Sequence, residues 1–326
     1  MIGNKHLFIG CAAAVLVASG AGEARAQAYP AKPVRFIVPF APGGSSDILA
    51  RAISQKLAEG LGQPVVIDNR GGAGGNIGAE VAAKAAPDGY TVFFSTSGVV
   101  NVNPSLYRKL AFDPARDFAP VSIVASLPNM LVVHPSVPAR SVKELISLAR
   151  SRPGALNYAS GGSGTSNHLA GELFKTLARV DVTHVPYKGG GPAVVAVLSG
   201  EVALLFATMP SALPHVKANR LRALAVTTTK RSHAAPQLPT VAESGLPGFE
   251  VAIWVGALVP AGTPKEIIGR LHAEIVRTLK VAEVRGRLLG EGYEPVGNTP
   301  EQMAANIKTE TAKWAKVVKS AGIRAE

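Results

Sequence analysis

Phe40-Ala-Pro-Gly-Gly-Ser-Ser-Asp-Ile-Leu-Ala-Arg51 is the stretch whose reading decides the fold. An apolar run, Val34 to Phe40, feeds into Pro42-Gly43-Gly44, and Ile48, Leu49, Ala52, Ile53 and Leu57 then recur at helical spacing. The order is strand, glycine turn, helix. Ser45, Ser46 and Asp47 stand at the predicted helix start, where Ser and Asp are favoured caps. A helix start presents unpaired backbone N–H groups and the positive end of the helix dipole, so it can receive an anion. Glycines beside it let a ligand approach the main chain. Taken alone, the stretch fits equally well a capped turn of any α/β protein.

A second turn of the same kind lies more than a hundred residues on. Asn157-Tyr-Ala-Ser-Gly161-Gly-Ser-Gly164-Thr165-Ser166-Asn167-His168 follows a short strand candidate and precedes Leu169, Leu173, Phe174 and Leu177 at helical spacing. If the two turns belong to facing lobes, two helix starts close on one small anion from opposite sides.

The chain has 326 residues, enough for two domains. With 47% hydrophobic and 17% charged residues its composition is globular. Lys5 and His6 precede an apolar core, Leu7 to Ala18, and Ala24-Arg25-Ala26 has the A-x-A form of a signal-peptidase site. Residues 1–26 are therefore expected to be a cleaved leader, with the mature chain starting at Gln27 in the periplasm. Cys11, the single cysteine, falls inside that leader, so the mature chain is expected to hold no disulfide and no thiol site. Net charge is +12, and loss of Lys5, Arg25 and Glu23 with the leader leaves +11. Lys and Arg are scattered and aromatics make up only 6%, which favours steering of small anions over nucleic-acid binding.

Further along, Gln63 to Asn69 reads as a second strand, and Arg70-Gly-Gly-Ala-Gly-Gly-Asn-Ile-Gly78 leads into a helix over 79–86. Its glycines miss the dinucleotide spacing, because the third position is Ile77. It reads either as a backbone approach site or as a flexible lead-in. Thr91 to Phe94 is a third strand, ending at Ser95-Thr96-Ser97-Gly98; in open α/β sheets ligands gather beyond such strand ends. Val121 to Val133, broken at Pro128, reads as the chain crossing between lobes. The βα alternation then restarts: a helix capped by Ser141, strand 156–159, helix 166–178, strand 182–185, helix 192–199 and strand 201–206. Leu221 to Thr227 is another strand, Glu250 to Val259 returns to the first lobe, and the tail is helical over 264–279, 282–289 and 300–321. Tyr187 and Lys188 stand beside three glycines at a strand end, fit for contact with a polar or anionic ligand or for a surface turn. His168 with Glu172 at i+4 reads as a hydrogen-bonded helix-start histidine, since no further metal ligand stands near them in sequence.

The catalytic signatures with a fixed spacing mostly fail, and a carboxylate pair for acid/base work is a matter of three-dimensional meeting that spacing does not decide. Gly161-Gly-Ser163-Gly-Thr165 fails the G-x-S-x-G elbow at its last position, and no H-E-x-x-H or paired-cysteine motif occurs. No cofactor signal exists. The loops expected to face a cleft are rich in Gly, Ser and Thr, with Asp47 almost their only acid, which suits recognition rather than turnover.

Phe40 to Asp47, Asp68 to Gly78, Pro87-Asp-Gly-Tyr90, His184-Val-Pro-Tyr-Lys-Gly-Gly190, Pro239 to Gly245, Trp254 and Pro260 to Pro264 together resemble the extracytoplasmic receptors of tripartite tricarboxylate transporters, the Bug proteins. The resemblance spans nearly all of the mature chain. It implies an α/β, two-lobed periplasmic binding protein of the type II class, each lobe a mixed sheet flanked by helices, joined by two crossing strands. Lobe one would comprise 27–125 plus 252–326, and lobe two 126–251. Carried over by residue, Ala41, Pro42, Gly43, Gly44 and Asp47 would hold one end of a small carboxylate, with Ser97 nearby. Gly164, Thr165 and His168 would fix a carboxylate from lobe two, with Tyr187 and Lys188 on the same side. Many relatives carry Asp-Asn where Ala207-Thr208 stands here, which implies a ligand without an amine. The partners implied are permease subunits or, alternatively, a membrane sensor kinase, and the receptor itself is expected to be a monomer.

Overall fold

The computed structural model describes residues 29–321; the expected leader, its cleavage site and Cys11 lie outside the described residues. The first βα units are β1 (Val34–Val38), α1 (Ser45–Leu61), β2 (Val65–Asn69), α2 (Asn76–Ala83) and β3 (Thr91–Thr96). A π-helical turn, Gly98–Val102, and two short helices, α3 (Asn103–Leu106) and α4 (Pro114–Asp117), lead to the long strand β4 (Phe118–Val133). Then come α5 (Val142–Ser151), β5 (Asn157–Ser160), α6 (Ser166–Ala178), β6 (Thr183–Pro186), α7 (Gly190–Leu198), β7 (Leu204–Thr208), α8 (Met209–Lys217) and β8 (Arg222–Val226). The chain returns through β9 (Ala252–Pro260) to α9 (Lys265–Lys280), α10 (Ala282–Gly290), β10 (Glu294–Pro295) and α11 (Pro300–Ala321).

Apolar periodicity explains the first unit. Leu49, Ile53 and Leu57 recur every fourth residue, so they share one face of α1, and all three are fully buried. Each such side chain contributes roughly 1.5–3 kcal/mol on burial. β1 is buried along nearly its whole length, as a parallel strand covered on both faces must be. Helix α5 starts as expected, with Ser141 Oγ accepting the Glu144 N–H at 3.2 Å. Helix α1 does not. Its cap is Gly44, and no side chain caps it.

The two lobes repeat one topology. In lobe one the order is β2-β1-β3-β9-β4, with β2 and β3 parallel to β1, β9 antiparallel to β3, and β10 on the far side of β4. In lobe two it is β6-β5-β7-β4-β8, with β6 and β7 parallel to β5, and β4 antiparallel to both β7 and β8. Strand β4 serves both lobes. It pairs with β9 through Pro128 and with β7 from Asn129 onward. Pro128 does not break it: this residue faces Ala252, the first residue of β9, where the ladder ends and a missing N–H costs little. Each sheet has an apolar core on both faces, one of the lobe-one cores around Phe36, Leu49 and Val255, one of the lobe-two cores around Leu131, Phe174 and Phe206.

Some element limits differ from the sequence reading. Helices α2 and α7 begin at Asn76 and Gly190, two to three residues early, and β7 runs to Thr208 rather than stopping at 206. Helix α8 was not anticipated, because Pro210 and Pro214 hide it. Pro210 stands in the first turn, where the N–H has no intrahelical partner, while Pro214 lies inside the helix and removes one bond from it.

Candidate functional site

Equivalent strand ends of the two lobes meet in the middle of the molecule. Helix α1 follows the first strand of lobe one, and α6 follows the first strand of lobe two. Thr96 ends β3 and Thr208 ends β7, the third strand of each sheet. A cavity of about 30 Å³ lies among them, lined by Gly44 and Ser45, by Thr165, Ser166 and Asn167, by Thr96 and Thr208, and by Gly190 at the start of α7. Phe40 and Ile253 supply its apolar wall. That volume suits about two waters, or the head of a small anion. Among the described residues no ionisable side chain lines it.

Three helix starts therefore converge on one point, two from lobe two and one from lobe one. None has a side-chain cap: Gly44, Thr165 and Gly189 hold the cap positions without one. Their first-turn N–H groups are thus left for a ligand. Thr165 instead turns its hydroxyl to the Gly162 carbonyl at 2.7 Å, which shapes the loop.

The sequence-derived residues fall into several places. Gly44 and Thr165 line the cavity directly. Asp47 is buried and spent on its own loop: Oδ2 accepts the Gly43 N–H and Oδ1 accepts Arg51 Nε, each at 3.0 Å. Ser97 is also buried, its Oγ accepting the Trp254 N–H at 3.4 Å. Ala207 belongs to the lobe-two core, because strand alternation turns its neighbour Thr208 to the cavity. Ala41, Pro42 and Gly164 form part of the seam between the lobes, described below. His168, Tyr187 and Lys188 line a separate, outer cavity with His184. Ser45, Thr96, Ser166 and Asn167 belong to the helix starts and strand end that the sequence marks, although it does not name them as contacts, and Thr208, Gly190 and Ile253 are additional. Strand parity could have found Thr208; Gly190 and Ile253 required the tertiary arrangement.

The closed seam is mostly main chain. The Ala41 N–H donates to the Lys188 carbonyl at 3.1 Å, and the Tyr107 hydroxyl donates to the Ser163 carbonyl at 3.1 Å. Glycines make this approach feasible. A Cβ on Gly191 would lie 2.1 Å from the Pro42 carbonyl oxygen, and one on Gly98 would lie 2.8 Å from that of Gly164.

Two histidines stiffen the second loop. The Gly164 N–H donates to His168 Nδ1 at 3.3 Å, and His184 Nε2 is 2.6 Å from Ser160 Oγ, which accepts the Gly162 N–H. The two rings sit 4.5 Å apart. Burial pushes the His168 pKa below the ordinary histidine value, and burial together with neighbouring His168 brings His184 down to about 4. Glu172 is engaged by the Tyr158 hydroxyl and Lys175, not by a metal partnership with His168.

Two lobes of one topology, crossed by shared strands and closing on a small polar cavity, define a type II-like periplasmic binding protein. The description "Tripartite tricarboxylate transporter family receptor" matches residues 49–323. The chain belongs to this family of periplasmic receptors and is a solute-binding protein of the tripartite tricarboxylate transporter type, as the sequence resemblance implied. It is similar to Protein BugT of Bordetella pertussis, with 39% identity over 311 residues that cover 95% of each chain. Among solved structures it resembles R. palustris Rpa4515 with adipate, at 43% identity and a TM-score of 0.89 over 91% of this chain and 100% of that one. It also resembles MatC from Rhodopseudomonas palustris with bound malate, at 35% identity and a TM-score of 0.85 over 89% and 100%.

Proposed function

We propose that this receptor captures a small carboxylate without an amino group, its head group in the central cavity, and delivers it to the permease subunits of a tripartite tricarboxylate transporter. The convergence of three uncapped helix starts, drawn from both lobes, on a neutral cavity carries this reading. A partly buried helix-dipole contact stabilises an anion by up to about 2 kcal/mol. A charge-assisted hydrogen bond adds roughly 1.5–3 kcal/mol. A few of these offset ordering costs and reach micromolar affinity, about −8 kcal/mol. With no acid in the lining, nothing there would hold an ammonium group. The adipate and malate of the two relatives support the choice of ligand class.

In this reading Gly44, Ser45, Thr165, Ser166, Asn167, Thr96 and Thr208 touch the ligand. Ala41 to Gly43 with Asp47, and Gly164 with His168, hold the two loops in shape. The ligand leaves unchanged, so the protein is a carrier and not a catalyst, and it works as a monomer exported by the leader 1–26. Lobe one is 27–125 plus 252–326 and lobe two is 126–251, a division supported by the change of β4 partner at Asn129.

A thermal-shift screen of ligand-stripped protein against mono-, di- and tricarboxylates and amino acids tests this, followed by calorimetry on the strongest responder. A plain dicarboxylate should raise the melting temperature by several degrees at saturation. Tight binding of aspartate or glutamate with no affinity for plain acids would overturn the reading. Mass spectrometry of the recovered ligand should find it intact.

A further inference from the structure

Outside the central cavity, on the other side of the loop 161–165, the lobes enclose a second cavity of about 550 Å³. Small-molecule sites commonly measure about 300–1,000 Å³. Lobe one contributes Gly74 and Tyr107, and lobe two contributes His168, His184, Tyr187 and Lys188. Walls from both lobes mean that this cavity is complete only when the seam is shut.

Its donors point to an anion. His168 is 5% exposed and its Nδ1 accepts the Gly164 N–H, so the neutral ring carries its proton on Nε2. Among the described residues that Nε2–H has no acceptor, although the residue lines the cavity. The Lys188 ammonium is exposed and, among the described residues, has no ion-pair partner. Among the described residues no carboxylate lines the space. The remaining walls suit a flat body. Both tyrosine hydroxyls are already donated, Tyr107 to the Ser163 carbonyl and Tyr187 to Glu201 Oε1 at 2.8 Å, which leaves their rings to the cavity. The His184 ring is stacked on Tyr158 at 4.9 Å and held in place.

We propose that this seam cavity is a second ligand site, which takes an aromatic carboxylate with its charge on Lys188 and the His168 Nε2–H and its ring among Tyr107, Tyr187 and His184. Because such a ligand binds the shut form alone, it favours closure, and by linkage it tightens the hold on whatever occupies the central cavity. The site is independent of the central one in its contacts, and it rests on the proposed function only for this coupling.

Fluorine NMR titration of the full mature protein with 4-fluorobenzoate tests the site. Lys188→Met removes the ammonium but keeps the backbone carbonyl that bonds Ala41, and the residue is exposed, so the fold stands. Saturable binding should weaken about tenfold or more in Lys188→Met, the worth of one charge-assisted hydrogen bond, and persist in Lys230→Met, which removes an equal charge from an exposed position that lines neither cavity. Adding adipate to the wild type should tighten 4-fluorobenzoate binding. Three results overturn the proposal: no saturable binding in the millimolar range, equal affinity in wild type and Lys188→Met, or displacement by adipate. If adipate binds by calorimetry yet has no effect on 4-fluorobenzoate, the coupling fails; if adipate does not bind, the central-site ligand class fails; in either case the Lys188 comparison still decides the seam site.

Discussion

Substituting Gly191→Ala separates closure from folding. Gly191 is the second residue of α7 and has ordinary helical backbone, so alanine is tolerated locally and favours the helix by up to about 1 kcal/mol. Across the seam the outcome is opposite. The new Cβ would lie 2.1 Å from the Pro42 carbonyl oxygen and 3.2 Å from the Gly43 carbonyl carbon, both main-chain atoms of the other lobe. Neither can rotate aside, so the seam has to part by roughly 1 Å, a gap that already forfeits up to half of each contact's attraction. The Ala41–Lys188 hydrogen bond, 3.1 Å long, is then lost, at about 1 kcal/mol. The α7 start withdraws from the ligand as well, which removes one charge-assisted bond of roughly 1.5–3 kcal/mol. Together these predict a Kd raised at least about sixtyfold. Calorimetry with the strongest carboxylate from the screen measures the loss, and small-angle scattering should find the saturated variant more extended than the saturated wild type. The unliganded variant should melt no lower than wild type. Equal affinity with equal compactness would refute the idea that main-chain contact across the lobes limits closure.

Other substitutions probe single contacts. Thr165→Ala releases the bond to the Gly162 carbonyl and should weaken ligand binding about tenfold while far-UV circular dichroism stays the same; an unchanged Kd counts against the loop assignment. Tyr293→Phe removes a buried 2.6 Å bond from the hydroxyl to the Ser45 carbonyl and should cost about 1 kcal/mol, read as a lower urea midpoint. His184 is a base whose folded pKa, about 4, is depressed below its ordinary 6.5, so the unfolded chain takes up the proton first. The stability this site contributes is present above pH 6.5 and is lost as pH falls toward 4. The melting temperature of His184→Phe should fall less than that of wild type over this interval, and parallel curves would dismiss the effect.

Much of this arrangement is legible in the sequence because its signals are local. The Val34–Phe40 run, the glycine turn and the fourfold recurrence of Leu49, Ile53 and Leu57 place β1 and α1 without any tertiary information. The same holds for the 157–178 unit, so two anion-facing helix starts could be anticipated. What escaped depends on distant partners. Whether Ala207 or Thr208 faces the cavity turns on one residue of strand parity, which the sequence leaves open when both neighbours are small. Asp47 has the right type for a ligand contact, yet Gly43 and Arg51 consume its oxygens. His168, Tyr187 and Lys188 lie near the second loop in sequence, but the loop itself stands between them and the central cavity. The matching topology of the two lobes exists only in strand order, and no repeat of residues betrays it.

The neutral lining of the central cavity has a consequence for life outside the inner membrane. A receptor that gripped its anion with lysine or histidine would gain and lose strength as those groups titrate. Peptide N–H groups do not ionise there, so in the proposed reading the lining itself adds no titration to capture, and pH enters through the metabolite's own deprotonation and through loop supports such as His184.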